Sequence, residues 1–157
     1  MDRRSSSFYR ELCEDVRRHC EAKGYRDHEK GVNNFIPHDA IASYAMAKLL
    51  SERFDNFVAI APEGHIYGYF FERDGTMVLS VVADYPPTHC SSDDDLSVLK
   101  GKNVLLIEDE VVSGLTLKLV VDFLSQFKPG SMSLYLGHII GIQHLENIPR
   151  EIEIDRI

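Results

Sequence analysis

The chain has 157 residues and carries 25 Asp+Glu against 17 Lys+Arg, a formal charge of −8. That length fits one domain with a real core, and a composition 44% hydrophobic and 27% charged argues against a disordered or collagen-like chain. The acid excess argues against a general nucleic-acid binder, which needs a basic footprint, and no apolar run approaches the ~20 residues of a membrane span.

The acidity is uneven. Residues 1–30 hold 8 Lys+Arg and 7 Asp+Glu, and residues 31–157 hold 9 and 18. The N-terminal MDRRSSSFYRELCEDVRRHC has no apolar h-region, so no secretory leader is expected. Cys13, Cys20 and Cys90 are odd in number and lack CxxC spacing, which predicts buried thiols in a reducing, cytoplasmic setting.

In chain order, Ser5, Ser6 and Ser7 offer caps for a first helix. Phe8, Leu12, Val16 and Cys20 recur at helical spacing, and Gly24 closes it. Tyr25 to Pro37 reads as a polar connector. Asp39 begins a second helix, with an expected apolar face of Ile41, Tyr44, Ala45 and Leu49 and an end near Phe54. Four short apolar runs follow: Phe57 to Ala61, Met77 to Ala83, Val104 to Ile107 and Ser131 to Ile140. A helical pattern of Leu117, Val120, Val121 and Leu124 separates the last two and stops at Pro129-Gly130. Ile152 to Ile157 reads as a last edge strand. Apolar runs without alternation suit strands buried on both faces, the parallel-sheet pattern. Their alternation with helices predicts an α/β sandwich of βαβ units. Ligands of such sheets bind beyond the carboxyl ends of the strands. The chemistry is therefore expected just after Ala61, Ala83 and Ile107.

The segment Val104 to Leu117, VLLIEDEVVSGLTL, is the informative one. A buried strand delivers Glu108 and Asp109 to its end. A small-residue loop, Val112-Ser113-Gly114-Leu115-Thr116, then opens a helix. Backbone amides, two hydroxyls and a helix N-terminus converge there, which suits a phosphate. The adjacent acids suit sugar hydroxyls, or Mg²⁺ through its waters. Together they read as a sugar-phosphate site.

This segment resembles the phosphoribosyl-pyrophosphate (PRPP) signature of type I phosphoribosyltransferases: four apolar residues, two acids, two mostly apolar residues, then a hydroxyl- and Gly-rich loop. Glu110 stands where that family usually has an apolar residue or Ser. The resemblance implies a single domain over 1–157, with the core sheet in 55–157. It also implies a small variable hood drawn from residues 1–50, the chain after Ile140, or both. Aromatic residues of residues 1–50, such as Tyr9, Tyr25 and Phe35, are candidates for stacking on a base. Ribose 5-phosphate would pass from PRPP to a nitrogenous base, a purine or orotate-like pyrimidine, with release of pyrophosphate. Glu108 and Asp109 would fix the ribose hydroxyls. Val112, Ser113, Gly114, Leu115 and Thr116 would hold the 5′-phosphate. A loop after the first core strand, here Pro62, Glu63, Gly64 and His65, would bind pyrophosphate, and Asp84 would stand near Mg²⁺. The resemblance further implies a homodimer.

The loop from Tyr85 to Leu99 contains no Lys or Arg, although it precedes the signature strand, where the family closes a flexible loop. It carries Asp93, Asp94 and Asp95 instead. Arg73, Lys100 and Lys102 flank it, and Arg26 and Lys30 lie in the connector, as the nearest bases. A non-catalytic PRPP- or nucleotide-binding regulator on the same fold therefore stays open as the alternative. A phosphorelay receiver domain would need more strands after its phosphoacceptor. Walker and Rossmann phosphate loops are excluded by the absence of their glycine patterns.

Overall fold

The computed structural model describes residues 7–24, 37–73, 75–84, 86–138 and 144–153. Helix α1 spans Ser7–Ala22 and α2 spans Pro37–Leu50. Strand β1 (Asn56–Ala61) leads into α3 (Gly64–Arg73), and β2 covers Val78–Ala83. A two-residue β3 (Cys90–Ser91) and a 3-10 turn (Leu96–Leu99) precede β4 (Asn103–Glu108). Helix α4 (Leu115–Ser125), β5 (Ser131–Leu136) and β6 (Ile152–Glu153) complete the described chain.

The six strands form one sheet in the order β3-β2-β1-β4-β5-β6. All neighbours are parallel except β2 and β3. Successive residues of a strand face opposite layers. Phe57 and Ala59 of β1 accordingly join a core with α1, α2 and α3, while Val58 and Ile60 join one with α4. Both faces of the central strands are covered, so their apolar runs need no alternation. The expected α/β sandwich is the observed fold.

Helix α1 buries Leu12, Val16 and Cys20 and ends at Gly24, whose φ of +88° is the left-handed closure expected of it. Phe8 is exposed. Three expectations need correction. Helix α2 ends at Leu50, and it buries Asp39, Ala40, Ser43, Ala47 and Leu50, leaving Ile41 63% exposed and Leu49 48% exposed. Its rotation is set by two polar contacts: Asp39 Oδ2 lies 2.9 Å from His138 Nδ1, and Ser43 Oγ lies 3.0 Å from the Tyr135 hydroxyl. Second, α3 occupies a stretch read only as broken by Pro62 and Gly64. It buries Ile66, Tyr67, Phe70 and Phe71 against the sheet. Third, β5 stops at Leu136, short of Ile140, and Ile139 and Ile140 lie outside the described residues. The same holds for Ser5 and Ser6, for most of the Tyr25 to Pro37 connector, and for residues 154–157.

Candidate active site

The carboxyl ends of β1, β2 and β4 border one cleft of about 490 Å³. Pro62 and Glu63 close one side, and Ala83 and Asp84 lie at the end of the neighbouring strand. Glu108, Asp109 and Glu110 run along it. Val112, Ser113, Gly114 and Thr116 form its far wall. The sheet thus brings together most of the residues singled out from the sequence. Leu115 is 63% exposed and does not line the cleft.

The acid pair leaves the strand in a fixed way. Glu108 Oε1 accepts the Asp109 N–H at 2.9 Å, and Asp109 Oδ1 accepts the Glu110 N–H at 2.7 Å. Two backbone bonds tie the acid pair to the chain after β5: Gly137 N–H donates to the Glu108 carbonyl at 2.9 Å and His138 N–H to the Asp109 carbonyl at 3.1 Å. Glu108 is only 8% exposed. Burial holds its carboxyl well above the ordinary glutamate range, and the charges of Asp109 and Glu63 add to that. A carboxyl that keeps its proton can both accept from and donate to a sugar hydroxyl.

Beyond the acids, Val111 is buried in the core that also holds Leu117 and Val120. Gly114 caps α4 with φ 80° and ψ 0°, a left-handed conformation that an L side chain rarely adopts. Ser113 Oγ accepts the Leu115 N–H at 3.3 Å. The first turn of α4 holds no acidic residue that would compete with an anion. The positive helix end and its remaining amides therefore lie behind the loop.

Several expected residues are placed elsewhere or otherwise engaged. Gly64 and His65 belong to α3 and do not line the cleft. His65 is fully buried, with Nε2 2.7 Å from Ser80 Oγ. Burial pulls its pKa down to about 3, and Lys23 and His19 contribute, so it is no cationic donor to pyrophosphate. Gly64 serves packing: a Cβ there would collide with the Ile107 carbonyl. Asp84 borders the cleft but also builds its own turn. Its carboxylate accepts from the Thr88 hydroxyl at 2.6 Å and from the Thr88 and His89 amides at 2.7 Å each. Those bonds pull its pKa down to about 2.

The flanking bases are out of reach. Arg73 ends α3, before β2, and Lys100 and Lys102 precede β4. In a parallel sheet those positions lie at the amino end of the strands, opposite the cleft. Arg73 instead donates to the Tyr69 hydroxyl at 3.1 Å and sits 5.4 Å from the Tyr44 ring centre. Arg26 and Lys30 lie outside the described residues. No Lys or Arg lines the cleft among the described residues. The acidic loop is not at the cleft either. Asp94 Oδ2 accepts the Ser80 N–H at 2.7 Å, Ser92 Oγ donates to the Ser80 carbonyl at 2.6 Å, and Asp95 caps the 3-10 turn through Ser97. Asp94 and Ser92 thus satisfy the edge of β2 where β3 does not reach.

Two features were not read from the sequence. One is the Asp39–His138 pair beside Asp109, with Asp39 fully buried. The other is Asn147, which bonds the loop before α4 at the Val112 carbonyl. Each joins segments far apart in the chain, and no local pattern announces such a pair. A separate, mainly apolar hollow of about 280 Å³ lies among Leu49, Leu134 and Ile148, away from the acids. No described helix is long and apolar enough to cross a membrane.

No family model and no curated protein matches the sequence. Solved structures do match. A hypoxanthine-guanine phosphoribosyltransferase from Bacillus anthracis str. 'Ames Ancestor' is 21% identical, with a TM-score of 0.51 over 60% of this chain and 61% of that one. A purine phosphoribosyltransferase from Pyrococcus horikoshii Ot3 is 18% identical, with a TM-score of 0.53 over 64% of this chain and 71% of that one. The match thus spans less than two thirds of the Bacillus chain. Sheet order, helix placement and these structural matches agree: the chain has the fold of the type I phosphoribosyltransferases.

Proposed function

We propose that the protein is a phosphoribosyltransferase that moves ribose 5-phosphate from PRPP to a nitrogenous base and releases pyrophosphate. One observation carries the reading: the acid pair at the end of β4 and the glycine-hinged loop opening α4 line the same cleft. The base class, purine or orotate-like pyrimidine, is left open, although both solved matches named above act on purines by their descriptions.

In this reading the loop Val112 to Thr116 grips the 5′-phosphate through backbone amides and the Ser113 and Thr116 hydroxyls. Glu108 and Asp109 hydrogen-bond the ribose hydroxyls and fix the sugar. The incoming nitrogen forms a bond to the anomeric carbon as the bond from that carbon to the pyrophosphate oxygen breaks. The transition state is oxocarbenium-like, and Asp109 stabilises the developing positive charge. Pro62 and Glu63 border the end of the cleft assigned to pyrophosphate.

The donor set fits Mg²⁺. The cleft is acidic and no base lines it among the described residues, so a bare polyanion would be repelled. No group of three or more acidic, His or Cys residues that could hold a metal ion is found among the described residues, so an ion here would rest on one or two carboxylates and on substrate oxygens. Asp84 and Glu63 are the residues that would hold it. When bound, Mg²⁺ supplies charge neutralisation to the leaving pyrophosphate.

Calorimetry with PRPP and Mg²⁺ tests the site. Wild-type protein should bind, while Asp109→Asn and Gly114→Val should lose binding. Unchanged affinity in both variants would sink the assignment. The lack of a lining base supports the second reading, a regulator that binds PRPP without turnover. Pyrophosphate release across a panel of bases separates the two: tight binding with no release for any base favours the regulator.

A further inference from the structure

The connection from β5 to β6 grips the phosphate loop at two points. Asn147 Nδ2 donates to the Val112 carbonyl. The Asn147 carbonyl also packs so closely on Gly114 that a Cβ there would collide with it. The segment around Asn147 is itself anchored. Ile148 packs on the core shared with Val111 and Leu117, Ile152 is buried, and Glu151 reaches Lys118 of α4 at 3.5 Å. Asn147 does not line the cleft, although Val112, Ser113 and Gly114 do. It therefore holds the loop from outside.

The consequence follows from peptide geometry. In a trans peptide unit the C=O and the next N–H point in opposite directions. A Val112 carbonyl pinned toward Asn147 turns the Ser113 N–H away from Asn147, and Ser113 lines the cleft while Asn147 does not. Flipped by half a turn, the same peptide would present an oxygen to an anion. We propose that Asn147 is a positioning residue. It locks the Val112–Ser113 peptide so that the Ser113 amide is preset for the 5′-phosphate. This rests on the phosphate-loop reading above.

The bland alternative is that Asn147 only glues the connection to α4. Asn147→Asp and Asn147→Ala separate the two. Asp keeps the shape, removes the donor and sets a charge against a carbonyl. Ala deletes a half-buried side chain and tests the same bond if the Asp variant folds poorly. Three probes are titrated by calorimetry beside melting curves: PRPP with Mg²⁺, ribose 5-phosphate, and pyrophosphate with Mg²⁺. Affinity for PRPP and ribose 5-phosphate should fall about tenfold or more, the scale of one hydrogen bond to a charged group. Affinity for pyrophosphate, which reports the other end of the cleft, should be unchanged. Equal binding of ribose 5-phosphate by wild type and both variants overturns the proposal. So does a uniform loss for all three probes in step with a lower melting temperature. Wild-type protein that binds neither PRPP nor ribose 5-phosphate overturns the reading of the loop itself.

Discussion

Replacing Glu108 by Gln gives a test with a calculable slope. Glu108 is 8% exposed, beside Asp109 and near Glu63, and its carboxyl is held well above the usual value of 4.5. The folded protein therefore binds a proton that the unfolded chain releases at ordinary glutamate pH. Below that pH both states are protonated and Glu108 costs nothing extra. As pH rises from about 4.5 toward the raised folded value, the folded state holds more protons, so stability falls. One proton changes the free energy by about 1.4 kcal/mol per pH unit in that window. Gln keeps the acceptor for the Asp109 amide and has no charge to bury. Its extra N–H₂ adds a roughly constant offset of about 1–3 kcal/mol if unpaired, so the slope is the readout rather than the absolute difference. Urea melts of wild type and Glu108→Gln are compared at half-unit steps from pH 4.5 to 8. The variant should gain on the wild type by up to about 1.4 kcal/mol per pH unit and then level off. In melting temperature that is about 2–4 °C per kcal/mol for a chain of this size. Parallel curves over the whole range would refute the buried-proton argument.

Two further outcomes follow from burial elsewhere. Asp39→Asn weakens the contact with the His138 ring across 99 positions of sequence and should cost about 1–3 kcal/mol in chemical denaturation, with a loss under about 0.5 kcal/mol counting against it. Burial pushes the Cys20 thiol up to about 12 and the Cys90 thiol up to about 11, so at pH 8 neither should react with iodoacetamide until urea is added. Rapid labelling of either residue in the native protein would contradict its placement.

The parts of the fold that could be read early are those whose reason is local. Val58 to Ile60 and Val104 to Ile107 are buried on both sheet faces, so each run is continuous and unmistakable. Gly24 and Gly114 stand at helix ends and have positive φ. What was misread depends on distant partners. Ile41, Ala45 and Leu49 make an apolar ridge on α2, yet the helix turns its small residues inward. Asp39 and Ser43 find His138 and Tyr135 there, and Ala40 and Ala47 allow close approach. Helix α3 was hidden by Gly64 and Gly68, which look like loop punctuation. Gly64 is required by a helix start pressed onto the Ile107 carbonyl, and that neighbour lies in another strand. The bases at Arg73, Lys100 and Lys102 looked near the site because they are near it in sequence. Strand direction puts them at the other end of the sheet.

The same geometry changes what the acid surplus means. Asp94 and Asp95 are committed to Ser80 and Ser97 and do not line the cleft. Glu108 is the acid in the cleft whose charge is most readily neutralised, because burial and Asp109 both favour its protonated form. Like charges in one cleft repel, so a proton on Glu108 lowers the cost of bringing a sugar phosphate into it. The end proposed for pyrophosphate has no such relief, since Asp84 stays ionised down to about pH 2 and no described base lines that wall. A phosphate monoester such as ribose 5-phosphate should therefore bind with little dependence on Mg²⁺, and PRPP with a strong one. The difference between the two ligands, rather than either affinity alone, would place a metal at the Glu63–Asp84 end of the cleft.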